Sequence, residues 1–144
     1  MNGKKVVDIL LVEDDPGDVE LTREGLAAGK LLVNMQTVDD GIKALSYLRR
    51  EAPYSDAVRP DIILLDLNMP RMDGRETLKA IKADPQLRSI PVVVLTTSAE
   101  DSDVAAAYQL GVNSYIVKPV DFEKFMEVAE QIEIYWCALN RLPG

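Results

Sequence analysis

Four places in this 144-residue chain set chemically capable side chains directly after short apolar runs. Glu13-Asp14-Asp15 follows Ile9-Leu10-Leu11-Val12, Asp66-Leu67-Asn68 follows Ile62-Ile63-Leu64-Leu65, Thr96-Thr97-Ser98 follows Val92-Val93-Val94-Leu95, and Lys118 follows Ser114-Tyr115-Ile116-Val117. Any one of these suits the ordinary polar turn at the end of a strand. The set points to chemistry. Acids gathered at neighbouring strand ends crowd like charge into a partly dry crevice, which raises their pKa values unless a cation sits among them. Carboxylates, a carbonyl and water are the oxygen set that Mg²⁺ takes. A lysine and a hydroxyl facing the same point could bind the oxygens of a phosphoryl group while an aspartate oxygen attacks phosphorus.

Composition removes most competing chemistries. The chain has no histidine and one cysteine, Cys137, so a disulfide framework, structural zinc, histidine-ligated haem and any histidine triad or general base are excluded. Sixteen Lys and Arg against 24 Asp and Glu leave a net charge of -8, the wrong sign for phosphate-driven duplex binding. No nucleic acid partner is expected. Nor is a membrane, because the N-terminus lacks a secretory apolar run and no stretch approaches the ~20 residues that cross a bilayer. A cytoplasmic location is expected. Without a linker, low-complexity segment or repeat, residues 1–144 read as one domain with no output domain.

The elements that must bring the strand ends together show as alternating short apolar runs and longer helical patterns, the signature of strand-helix units around a parallel sheet. Besides the four runs above, Val33–Val38 alternates and reads as an edge strand. Helices are expected over about residues 16–28, 40–50, 74–83, 101–110 and 121–139, with Pro16 in a first turn and Gly29 and Gly111 as stops. Arg50 to Arg59 reads as a longer surface loop. The expected class is α/β, a doubly wound (βα)5 sheet whose crevice opens at the strand C-termini.

Leu64-Leu65-Asp66-Leu67-Asn68-Met69-Pro70 with Asp73-Gly74, Leu11-Val12-Glu13-Asp14, Thr96 after Val93-Val94-Leu95, and Val117-Lys118-Pro119 together resemble the receiver domain of two-component response regulators, over essentially the whole chain. The resemblance implies a flavodoxin-like receiver fold, its five-stranded parallel sheet in the order 2-1-3-4-5, and Asp66 as phosphoacceptor. It further implies Mg²⁺ held by Asp14, the Asp66 side chain and the backbone carbonyl of Asn68, with Glu13 holding a metal-bound water. The Asn68 side chain would face the phosphoryl group. A register pairing Asp14 with Asp15 is the alternative, but it lengthens the strand by one residue and turns Ile9 and Leu11 to the opposite face. Thr96 maps onto the switch hydroxyl and Lys118 onto the salt-bridging lysine, whose bond to Pro119 resembles the family's cis peptide. Tyr115 maps onto the switch aromatic and equally suits an ordinary half-buried strand tyrosine. Val12-Glu13-Asp14-Asp15-Pro16-Gly17-Asp18, Asp73-Gly74-Arg75-Glu76, Leu95-Thr96-Thr97-Ser98 and the ending Ile132-Glu133-Ile134-Tyr135-Trp136 narrow the resemblance to phytochrome-associated and related single-domain regulators.

The function implied is a phosphorylation switch rather than an enzyme, limited to self-phosphorylation and autodephosphorylation. A sensor histidine kinase, with a phytochrome as a candidate, would supply the phosphoryl group. A phosphorylation-independent scaffold with a receiver fold is the alternative, and the complete set of Glu13, Asp14, Asp66, Thr96 and Lys118 speaks against it. A Mg²⁺-dependent phosphohydrolase of aspartyl-phosphate type ranks last, since it needs an aspartate where Asn68 stands. None of the eight glycines builds a phosphate loop. In the last helix Phe125, Val128, Ile132, Tyr135 and Leu139 form one apolar stripe, and Phe122, Met126, Ala129 and Trp136 form a second beside it. Such a width suits either a broad core face or a homodimer seam, and the seam is the expectation. Cys137 reads as a packing residue.

Overall fold

Uninterrupted Val, Ile and Leu runs make strands only where both faces of a sheet are covered, because each residue alternates between the two faces. The computed structural model, which describes residues 6–29, 32–69 and 71–118 together with Asp121, Glu123, Lys124, Met126, Glu127, Glu130 and Gln131, shows this arrangement. In chain order the elements are β1 (Val6–Val12), α1 (Pro16–Ala27), β2 (Leu32–Val38), α2 (Gly41–Leu48), β3 (Ile62–Leu65), α3 (Gly74–Ala83), β4 (Val92–Thr96), α4 (Asp101–Gln109) and β5 (Ser114–Val117). The strands form one parallel sheet in the order β2-β1-β3-β4-β5. Alternation along β1, β3 and β4 divides the core in two. Val7, Ile9, Leu11, Ile62, Leu64, Val93, Leu95 and Ile116 pack with Leu26 of α1 on one face. Leu10, Val12, Ile63, Leu65, Val92 and Val94 pack with Leu45 of α2, Leu78 and Ile81 of α3 and Ala107 of α4 on the other. Each such buried aliphatic side chain stabilises the fold by about 1.5–3 kcal/mol, so the sheet holds its helices chiefly through these two layers.

Aspartates set the starts of α1, α2 and α3. The Asp15 carboxylate accepts from the Gly17 and Asp18 N–H groups and Pro16 opens α1, while Asp73 accepts from Arg75 and Glu76 at the start of α3. These caps satisfy donors that a helix leaves unpaired. Gly74 sits against the end of β3 so closely that a Cβ there would lie 2.1 Å from the Asp66 carbonyl oxygen and 2.5 Å from Leu67 Cα. Gly111 ends α4 with φ +93, where glycine alone is unstrained.

The structure differs from the expected bounds in places. β1 begins at Val6 rather than Ile9 because Val6, Val7 and Asp8 pair with Leu32, Val33 and Asn34. Asp8 is tolerated there since its N–H donates to Asp61 and its carboxylate accepts from Asn34. The second helix stops at Leu48, and Arg50 turns left-handed with φ 55. Of the expected last helix, Glu123, Lys124, Met126, Glu127, Glu130 and Gln131 are helical, with the Lys124 N–H donating to Asp121. Phe122, Phe125, Val128, Ala129, Ile132, Tyr135, Trp136, Cys137 and Leu139, and the Lys118–Pro119 bond, lie outside the described residues.

Candidate functional site

Parity and register together decide what meets at the carboxyl edge of the sheet. Val12 lies opposite Leu65 in the ladder, so the next residues, Glu13 and Asp66, come side by side, and the Asp66 N–H donates to the Val12 carbonyl at 3.0 Å. Glu13, Asp66 and Lys118 each follow by two residues a side chain of the α1-side core, namely Leu11, Leu64 and Ile116. They therefore emerge on that same side. Carboxylate oxygens of Glu13, Asp14 and Asp66 all lie within 4.8 Å of one another. Glu13 and Asp66 are buried, and Asp14 is exposed at the rim. Asp15 does not join them, because its carboxylate caps α1.

Lys118 closes the group. Its ammonium donates to Glu13 Oε1 and to Asp18 Oδ2 at 2.8 Å, and stands 3.8 Å from Asp66 Oδ2. The other Asp66 oxygen accepts from the Asn68 N–H at 3.1 Å. Burial pushes the Glu13 carboxyl up to about 7, with the Asp66 charge adding to the effect and the Lys118 bond opposing it. Burial works to lower the Lys118 pKa, but its bonds to Asp18 and Glu13 and the Asp66 charge outweigh it and raise it. The lysine is thus held as a cation among acids. A hollow of about 490 Å³ opens beside Glu13 and Asp14, walled by Pro16, Val38, Lys43 and Tyr54.

Thr96, one residue beyond Leu95, takes the opposite parity and faces the α3–α4 side. Its fully buried hydroxyl accepts from Asn68 Nδ2 at 3.2 Å and from the Ser98 N–H at 3.4 Å. Asn68 Nδ2 also donates to Thr97 Oγ1 at 2.9 Å. Tyr115 shares that side, half-buried, and its hydroxyl donates to the Ser98 carbonyl at 2.9 Å. Glu13, Asp14, Asp66 and Lys118 therefore meet in one cluster, while Thr96, Asn68 and Tyr115 form a second group on the α3–α4 side, joined to Asp66 through Asn68. The α1 carboxylate on Lys118, Asp18, was not singled out from sequence as a partner. The signal for it was available: a residue in the first turn after an acid-ending strand points back over that strand's end. Arg75 and Asp103, which pair at 2.7 Å, were missed because they stand on different helices.

Residues 9–130 match the response regulator receiver domain family. The chain belongs to that family. Response regulator Rcp1 of Synechocystis sp. (strain ATCC 27184 / PCC 6803 / Kazusa) is 42% identical over 136 residues, covering 94% of this chain and 92% of Rcp1. The structure of the phosphorylated cyanobacterial phytochrome response regulator RcpA superposes with a TM-score of 0.84 at 44% identity, covering 97% of this chain and 100% of that one. The Mn²⁺-bound form of Rcp1 superposes with a TM-score of 0.82 at 40% identity over 96% of this chain and 99% of that one. The protein is thus a receiver-type response regulator of phosphorylation-based two-component signalling, related to phytochrome response regulators, and a receiver implies a histidine kinase as phosphodonor. Among the described residues no helix is long and apolar enough to cross a membrane.

Proposed function

We propose that Asp66 is the phosphoacceptor of this receiver and that the reaction depends on Mg²⁺. The observation that carries the reading is the convergence of Glu13, Asp14 and Asp66 oxygens within 4.8 Å, with the Lys118 ammonium beside them. Three carboxylates and one ammonium leave the cluster short of positive charge, and its all-oxygen donor set suits a hard divalent cation. Asp14, Asp66 and the Asn68 carbonyl would hold the ion, with Glu13 on a bound water. Bound there, Mg²⁺ would supply charge neutralisation for the incoming phosphoryl oxygens.

The chain's own groups do the rest. An Asp66 carboxylate oxygen attacks phosphorus, the bond from phosphorus to the kinase histidine nitrogen breaks with its electron pair staying on that nitrogen, and the imidazole, protonated on its other nitrogen, leaves neutral. Lys118 is within reach of the Asp66 oxygen and counters the added charge. The Thr96 hydroxyl, whose oxygen already accepts from Asn68, has its proton to give to a phosphoryl oxygen, and Tyr115 reads the resulting movement of the β4–α4 segment. Catalysis is confined to self-phosphorylation and loss of the phosphoryl group, since Asn68 offers no acid or base where a phosphohydrolase needs one. Structural relatives named as phytochrome or bacteriophytochrome response regulators make a phytochrome-type kinase the proposed donor. We further propose action in the cytoplasm as a homodimer through the C-terminal helix; the apolar stripe from Phe125 to Leu139 supports the pairing.

Acetyl phosphate labelling read by intact mass tests the acceptor. One phosphoryl group is expected with Mg²⁺, none with EDTA, and none on Asp66→Asn; labelling of Asp66→Asn at the wild-type rate refutes the reading.

A further inference from the structure

Arg75 connects groups that share no element. It stands in the first turn of α3 and grips Asp103, in the first turn of α4, with two parallel bonds, Nε to Oδ1 at 2.8 Å and Nη2 to Oδ2 at 2.7 Å. Its Nη1 lies 3.4 Å from the Leu67 carbonyl oxygen and 3.4 Å from Asn68 Oδ1. On the far side, Asp103 Oδ2 accepts from Ser98 Oγ at 2.5 Å, and the Ser98 carbonyl accepts from the Tyr115 hydroxyl at 2.9 Å. A continuous chain of contacts therefore runs from Asn68, two residues past Asp66, through Arg75, Asp103 and Ser98 to Tyr115. The arginine–carboxylate fork is directional as well as strong, and the Asp103 side chain is only 14% exposed, so water screens the pair less than an open surface pair.

We propose that Arg75 and Asp103 are positioning residues of the phosphorylation switch: the pair orients the Asn68 amide against Thr96, which sets how long the phosphoryl group persists, and ties that amide to Tyr115 through Ser98. The inference rests on Asp66 being the acceptor. The Asn68 amide has two faces, and Arg75 holds the carbonyl one. The NH₂ is thereby left for Thr96 and Thr97, so the Thr96 oxygen accepts and its proton stays available to a phosphoryl oxygen. Without the guanidinium the amide can turn by half a rotation and offer Thr96 a carbonyl. The hydroxyl proton then goes to Asn68, in direct competition with the phosphoryl group. Loss of that group is hydrolysis: water adds to phosphorus, the bond from phosphorus to the Asp66 oxygen breaks, and inorganic phosphate leaves.

Wild type, Arg75→Met, Asp103→Asn and the reversed pair Arg75→Glu with Asp103→Arg separate the possibilities. Each is labelled with acetyl phosphate and Mg²⁺, and the decay of the phosphoryl group is followed by intact mass. Amide NMR shifts over residues 98–117 are recorded with and without beryllofluoride and Mg²⁺. Both single variants should still label on Asp66, with the phosphoryl lifetime changed by at least about twofold, the lower end of coupling between groups in contact, and with smaller beryllofluoride-induced shifts near Tyr115. The reversed pair should restore the shifts, because the α3–α4 link is rebuilt. Its lifetime should stay altered, because a carboxylate at position 75 attracts the Asn68 NH₂. A purely structural pair would restore both or neither, and either result overturns the proposal, as do single variants with wild-type lifetime and wild-type shifts. Asp103→Asn is isosteric and carries the test if Arg75→Met does not fold. A wild type that never labels on Asp66 instead overturns the acceptor reading.

Discussion

Glu13 holds its proton more firmly in the folded chain than in the unfolded one, because burial and the neighbouring Asp66 charge push its carboxyl up to about 7. The sign follows from proton counting. Its contribution to stability is fully present below about pH 4.5 and is lost as the pH rises through about 7. A divalent cation favours the ionised carboxylate, so Mg²⁺ binding below pH 7 should expel a proton. Calorimetry in buffers of different ionisation enthalpy should find close to one proton released per ion at pH 6 and little at pH 8; equal release at both would show that Glu13 is already ionised. Lys118 is the counterpart. Lys118→Met leaves Glu13 buried against Asp66 without its cation, a loss of about 3 kcal/mol at pH 8, smaller at pH 6 where Glu13 keeps its proton. Denaturant melts at the two pH values measure the difference. The variant should still bind Mg²⁺, since the ammonium is no metal ligand, yet fail to respond to beryllofluoride; lost metal binding with a normal response would reverse the roles.

At the scale of elements, the site depends on how α3 is docked under β3. The Gly74 backbone presses on the Asp66 carbonyl and Leu67 Cα, which are main-chain atoms and cannot swing aside. Gly74→Ala must therefore move the strand end that carries Asp66, destabilising the protein by about 1–3 kcal/mol and slowing acetyl phosphate labelling. Asp73→Ala removes the cap and a 3.6 Å ion pair to the half-exposed Arg75 side chain, costs about 1 kcal/mol and should leave labelling near normal. Stability by denaturant midpoint and labelling by intact mass distinguish the two. If both variants label alike, the close approach at Gly74 does not position Asp66.

Over the whole molecule, the parallel order β2-β1-β3-β4-β5 places β1, β3, β4 and β5 with their carboxyl ends on one edge, which is why residues as far apart as Glu13 and Lys118 can share a bond. The proposed self-association belongs to this scale. Interface centres favour aromatic and aliphatic anchors, and in a two-fold pairing one substitution acts twice. Sedimentation should show a wild-type dimer and a monomeric Tyr135→Asp, each compared with and without beryllofluoride. A wild type that stays monomeric at high micromolar concentration in both states would mean that the stripe is intramolecular core.

Local pattern determined much of this protein. The β-branched and aliphatic runs named the strands, their alternation with helical patterns named the layers, and polar residues at the run ends marked the edge where Glu13, Asp14, Asp66 and Lys118 meet. Those signals are legible because strand period and cap chemistry act within a few residues. Asp8 shows the limit: an acid inside β1 looks like a strand boundary until Asp61 and Asn34 arrive to bond it. Asp18 on Lys118 and Arg75 on Asp103 were likewise decided only by tertiary structure, since neither pair shares an element and each depends on how two elements pack. A charged side chain signals polarity in a sequence, whereas its partner is chosen by the distance and direction that the assembled sheet and helices impose.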